Sequence, residues 1–256
     1  NLGLEEAAKA GITGASAGLK ITTTGTSHPI TISAREVCLK NSTGMQRTVG
    51  NVALTLNLNN IGENGLDTGA LAAAKWYAVY VISDGTNLAA LGSLSETAPT
   101  LPQGYTYAGR VGWVRTDSSA NKYPLSMVQV GRSAQYKVAS GSNVTNLPIM
   151  ASGQSTSPVA VSISAFAPPS AGKIKIVAGI TSSGFVGFAP SSNYNSTPST
   201  NYLSTAHPNG YPFAGGYNTG SPVPTAIGEL VLESTTVYYV SSGVNGVMEC
   251  MGWEEY

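Results

Sequence analysis

The acidic side chains are the first place to look for chemistry, because a sugar hydrolase needs two carboxylates facing each other across the bond it cleaves. Asp67, Asp84 and Asp117 each fall in a turn containing Gly or Ser, the setting in which an Asp usually caps its own backbone. Glu96, Glu229 and Glu233 fall near strand ends, and Glu249, Glu254 and Glu255 crowd the C-terminal end. Neither group has the spacing of a hydrolase motif. A Ser-His-Asp arrangement would have only His28 and His207 to draw on, both followed by Pro, and no G-x-S-x-G elbow accompanies them. Cys38 and Cys250 stand in apolar contexts without CxxC or His spacing and read as buried thiols; whether a bridge joins them is left open by the sequence. No catalytic residue, metal site or cofactor is expected, so the chain does not read as an enzyme.

Recognition is the other chemistry these residue types support. Between positions 189 and 224 the aliphatic periodicity lapses and aromatic residues alternate with turn formers. Tyr194, Tyr202, His207, Tyr211, Phe213 and Tyr217 are the candidate contacts, with Asn195, Asn201, Asn209 and Asn218 as hydrogen-bonding neighbours. Tyr, Ser, Asn and Gly together make up antibody binding loops, in which rigid rings supply contact area and small polar groups adapt their hydrogen bonds. A pyranose would lay its C–H face on such a ring while amides and hydroxyls read its hydroxyl groups. The alternative is an insertion that only packs against a neighbouring subunit.

A loop of that length needs a rigid platform, and the rest of the chain supplies strands. From Gly18 onward the apolar residues recur with period two over 19–22, 30–34, 52–58, 76–82, 107–114 and 123–130, then over 159–163, 173–177, 229–232 and 237–240. Turn formers such as Asn41-Ser42-Thr43-Gly44, Asp84-Gly85 and Asp117-Ser118-Ser119 separate them. Many short strands without interleaved helices predict an all-β fold, an antiparallel β-sandwich of jelly-roll type. Leu4, Ala8 and Ile12 share one helical face, so residues 1–17 are expected to hold a short helix or shaft remnant ahead of a β head over 18–256. A Ser-, Gly- and Asn-rich stretch over 139–157 would divide that head if it forms two lobes.

Composition narrows the function classes. Charged residues make up only 10% of the 256, well below the roughly 25% of ordinary soluble domains, while hydrophobic residues reach 42%. The core is large enough to fold, and the surface is one of hydroxyls and amides. A net charge of zero gives no electrostatic footprint for nucleic acid or for an anionic bilayer. Low charge also removes repulsion between copies, which favours a homo-oligomer. No apolar run approaches the roughly 20 residues of a membrane span, so membrane insertion is not expected.

One set of motifs carries a resemblance. Gly65-Leu66-Asp67-Thr68-Gly69-Ala70-Leu71, the strand from Lys75-Trp76-Tyr77 to Ser83-Asp84-Gly85, Thr97-Ala98-Pro99-Thr100-Leu101-Pro102-Gln103-Gly104-Tyr105-Thr106-Tyr107 and Arg110-Val111-Gly112-Trp113-Val114-Arg115-Thr116-Asp117 together resemble a module of tailed-bacteriophage virion proteins, especially tail fibres. The likeness runs from about Leu19 to Gln135 and returns weakly at Gly252-Trp253-Glu254, while Asn1-Leu2-Gly3-Leu4 resembles the repeats of fibre shafts. It implies a virion protein made in the host cytoplasm, a homotrimer forming the distal piece of a longer fibre. Its partners would be a bacterial surface glycan or outer-membrane component, together with other tail or virion proteins. Two alternatives stand beside this: a structural or decoration protein that binds other virion subunits, and, less favoured for want of a carboxylate pair, a polysaccharide depolymerase.

Overall fold

The computed structural model describes residues 13–180, 184–194, 213–218, 221–223 and 225–255. All secondary structure among them is strand. The helix expected over residues 1–12 lies outside the described residues, and 13–17 hold a two-residue strand instead. The chain divides into two compact units, Asn1–Thr145 and Asn146–Tyr256.

The first unit contains β1 (Ser16–Ala17), β2 (Lys20–Thr22), β3 (Pro29–Asn41), β4 (Gln46–Asn57), β5 (Gly65–Leu66), β6 (Trp76–Ser83), β7 (Leu88–Ser93), β8 (Tyr107–Arg115), β9 (Met127–Val130) and β10 (Ser133–Tyr136). β3 is its spine. One edge pairs with β4 from Pro29 to Lys40, while the other carries β2, β1 and β8 in succession. The 123–130 strand expected from the sequence is shortened to β9, because Pro124 has no N–H for a ladder and the Asn143 amide donates to the Tyr123 and Pro124 carbonyls instead. Among the described residues the strands of this unit pair antiparallel as expected, except that β5 runs parallel to β7 and Leu66 also forms a parallel bridge with Ile61. Asn64 sets that direction, its N–H donating to the Ala90 carbonyl while its Oδ1 accepts from the Ala90 N–H.

β8, β6 and β7 lie side by side with β6 in the middle. One face of this trio closes directly onto neighbouring strands. A Cβ at Gly92 would overlap the end of the Leu58 side chain, and one at Gly112 would overlap the end of the Gln129 side chain, so a larger residue at either position would require those side chains to shift. The other face carries Ala78, Tyr80, Ile82, Ala89, Leu91 and Trp113 as one buried cluster.

The second unit contains β11 (Ile149–Ser152), β12 (Ser155–Ser162), β13 (Ala171–Ile180), β14 (Gly184–Ala189), β15 (Phe213–Asn218), β16 (Ser221–Val223), β17 (Thr225–Val231), β18 (Thr236–Ser241) and β19 (Gly246–Glu255). They form two antiparallel sheets, ordered β17-β13-β19-β11 and β12-β18-β14-β15-β16. β13 keeps strict alternation, burying Ile174, Ile176, Ala178 and Ile180. β14 has a strand on both edges and buries Phe185, Val186, Phe188 and Ala189 without alternation. Trp253 and Cys250 are both fully buried on β19, although three residues apart, because Met251 is an extra residue where the pairing with β13 shifts.

Candidate functional site

The 189–224 interval is not a continuous loop: β15 and β16 form a hairpin within it, and β15 pairs with β14 from Phe188↔Phe213 to Gly184↔Tyr217. Gly215 and Gly216 explain why a strand was not legible there, since they leave the segment without apolar periodicity while the backbone ladder still forms. Phe213, Tyr217 and Asn218 therefore stand on a strand, with Asn218 opposite Ser221 at the hairpin end. Tyr194 is half-buried and packs against Phe185, Ala189 and Val240, so it acts as an anchor for the chain leaving β14. Asn195, Asn201, Tyr202, His207, Asn209 and Tyr211 lie outside the described residues.

The three aspartates considered for catalysis are engaged in holding turns and loops. Asp84 accepts from the Thr86 and Asn87 N–H groups at 2.7 and 2.6 Å and from Asn87 Nδ2 at 2.8 Å. The Asn87 N–H, then that of Thr86, hold its carboxyl below the usual range. Asp117 accepts from Ser119 N–H, Ser119 Oγ and Asn143 Nδ2. Asp67 does more than cap its own turn: Oδ1 accepts from the Thr68 N–H at 2.7 Å, and Oδ2 from Ser93 Oγ at 2.6 Å and the Thr100 N–H at 3.1 Å. Glu229 and Glu254 flank Lys173 at 2.9 and 3.8 Å. His28 packs its ring edge-on against Tyr123, with centroids 4.7 Å apart. Cys38 and Cys250 are buried free thiols, and burial pushes Cys250 up to about 12, which keeps it unreactive.

The arrangement that sequence reading missed lies on the outer face of β8, β6 and β7. Segment 94–106 crosses this face as a strap and presses Leu101 and Tyr105 onto the buried cluster. Asp67 ties it near its middle, and Tyr80 Oη donates to the carbonyls of Ser95 and Glu96 at its start. The Thr106 N–H donates to the Ser83 carbonyl at its end. Val111 is an extra residue between the pairs Val79↔Gly112 and Tyr80↔Arg110. That bulge puts Arg110 and Trp113 on the same face, where strict alternation would separate them. Arg110 Cζ lies 5.4 Å from the Trp113 ring centroid, and its guanidinium reaches Glu96 on the strap at 3.9 Å. Gln129 supports the bulge from beneath, its Nε2 donating to the Val111 carbonyl at 2.9 Å. No family model, curated protein or solved structure matches the chain. The sequence signal that could have revealed the strap is the run of Pro99, Pro102 and Gly104 ahead of Tyr105, which excludes both helix and central strand.

The strap carries a pH dependence of defined sign. Burial pushes the Tyr80 phenol up to about 12, and burial with a hydrogen bond to Glu63 does the same for Tyr105, against an ordinary value of 10.0. Because the folded values are raised, the two phenols contribute their full stability below about pH 10 and lose it as pH rises toward about 12. The denaturant midpoint should therefore fall steeply over that window, and Tyr80→Phe should flatten the fall. An unchanged alkaline slope in that variant would remove Tyr80 from the account.

Proposed function

We propose that the chain is a distal tail-fibre or receptor-binding virion protein of a tailed bacteriophage, a homotrimer that adsorbs without catalysis to a bacterial surface glycan or outer-membrane receptor. The finer fold that accompanies this reading is a jelly-roll-like antiparallel sandwich head over residues 18–256. The observation that carries it is the role of the residues bearing the tail-fibre likeness. Gly65 to Asp67, Trp76 to Ser83 and Thr97 to Arg115 contribute to one strapped sheet, so the resemblance belongs to a packed structural module. Engagement of Asp67, Asp84 and Asp117 in fixing loops supports a non-catalytic role.

In the mechanism, weak sites repeated around a symmetry axis raise the effective concentration of each next contact, so the assembly holds a cell that one site would release. Rings that anchor such contacts cost about 2 kcal/mol or more when truncated, roughly a thirtyfold loss per site. Tyr211→Ala and Tyr217→Ala are accordingly expected to abolish retention of the folded protein on susceptible cells. Normal retention in both would move the contact surface to other loops, those near Asn41 and Ser118 first. Light scattering should return the mass of three 26.2 kDa chains; the mass of one at micromolar concentration would exclude the trimer.

A further inference from the structure

We propose that the cleft between β11 and β12 in the second unit is a binding subsite for an uncharged saccharide; the proposal rests on the receptor-binding reading only for its biological use. The cleft is a broad depression open to solvent with a volume of about 530 Å³, within the roughly 300–1,000 Å³ usual for small-ligand sites. β11 and β12 belong to different sheets and are joined by the Gly153-Gln154 turn. That turn is pinned from both sides: the Gly153 N–H donates to the Gly246 carbonyl at 2.8 Å, and Tyr239 Oη donates to the Gly153 carbonyl at 2.7 Å. The walls are thus set before a ligand arrives.

The lining fits a neutral polyol. It contains no acidic or basic side chain, so a phosphate, carboxylate or ammonium group would lose hydration there without gaining a counter-charge. Ser152, Ser155, Ser162 and Gln154 supply hydroxyls and an amide. Gln154 Nε2 donates to the Ser242 carbonyl at 2.8 Å, which fixes the exposed amide with Oε1 as an acceptor. Ser155 Oγ donates to the Ser157 carbonyl at 2.6 Å and so presents its lone pairs. Against these polar groups stand Val159, 42% exposed, and the half-buried Phe166, an apolar surface suited to the C–H face of a pyranose. An extended peptide adding to β12 is the competing occupant. Pro158 has no N–H to offer, and the pairing with β18 shifts register between Ser155 and Val159, so this edge is interrupted where a peptide ladder would run.

Saturation-transfer NMR on the full chain tests the proposal. The probes are the methyl glycosides of glucose, galactose, mannose and N-acetylglucosamine, with methyl glucuronide, N-acetylneuraminic acid and a Val/Thr-rich peptide as contrasts. At least one neutral glycoside should bind, the acidic sugars at least about tenfold more weakly. Gln154→Ala, at an exposed turn, should weaken that binding about tenfold or more without moving the thermal midpoint. Absence of binding by every neutral glycoside, equal binding of the acids, preference for the peptide, or undiminished affinity in folded Gln154→Ala would overturn it. Cell retention measured alongside separates the two readings. Retention without neutral-sugar binding removes the cleft alone, whereas sugar binding without retention removes the receptor role and leaves the cleft.

Discussion

Trp113→Ala is expected to lower the unfolding free energy by about 3–5 kcal/mol, the range for deleting a fully buried large aromatic side chain. Trp113 is 2% exposed at the centre of the outer cluster on β8, β6 and β7, and Arg110 roofs its ring. The bulge at Val111 and the strap are both fixed around it, so little can collapse into the space left behind. Trp76, half-buried at the rim of the same cluster, should cost clearly less when truncated. Denaturant titration of the two variants measures the difference. Equal small losses would show that the strap does not seal this face.

Asp67→Ala is expected to cost about 3 kcal/mol, because it leaves the Thr68 N–H, Ser93 Oγ and the Thr100 N–H without their charged acceptor. Ser93 is buried, so its hydroxyl cannot recover the loss from water without moving. Asp67→Asn keeps one oxygen and the shape of the turn, and should lose about half as much. The local signature is hydrogen exchange at the Thr100 amide, which should accelerate in Asp67→Ala well before global unfolding. Unchanged protection there would mean that the strap is held by Leu101 and Tyr105 alone.

The strands that were legible are those whose side chains follow one rule throughout. β6 and β8 alternate or bury continuously between clear turns, and β13 alternates over its whole length, so their positions were readable within a few residues. β3 runs on to Asn41 beyond the expected 30–34 because exposed Arg35 and Glu36 interrupt the apolar pattern that Val37, Cys38 and Leu39 resume. β19 was hidden by its bulge at Met251, which puts Cys250 and Trp253 on one face and breaks period two. The same device hid the Arg110–Trp113 stack. Bulges depend on a partner strand, and a partner is what a single sequence window does not contain. In the candidate interval, backbone pairing with β14 overrode a Gly-rich composition that reads as loop.

The central claim is attachment without cleavage, and retention of the purified full chain by intact bacteria tests it most directly. The chain is incubated with a panel of strains and with the same strains stripped of surface polysaccharide, and the supernatant is assayed for released oligosaccharide. The account predicts that at least one strain holds the chain, that stripping or loss of its receptor abolishes retention, and that the supernatant contains no new oligosaccharide. Retention by none of the strains, or oligosaccharide accumulating with time in the presence of the chain, would contradict it.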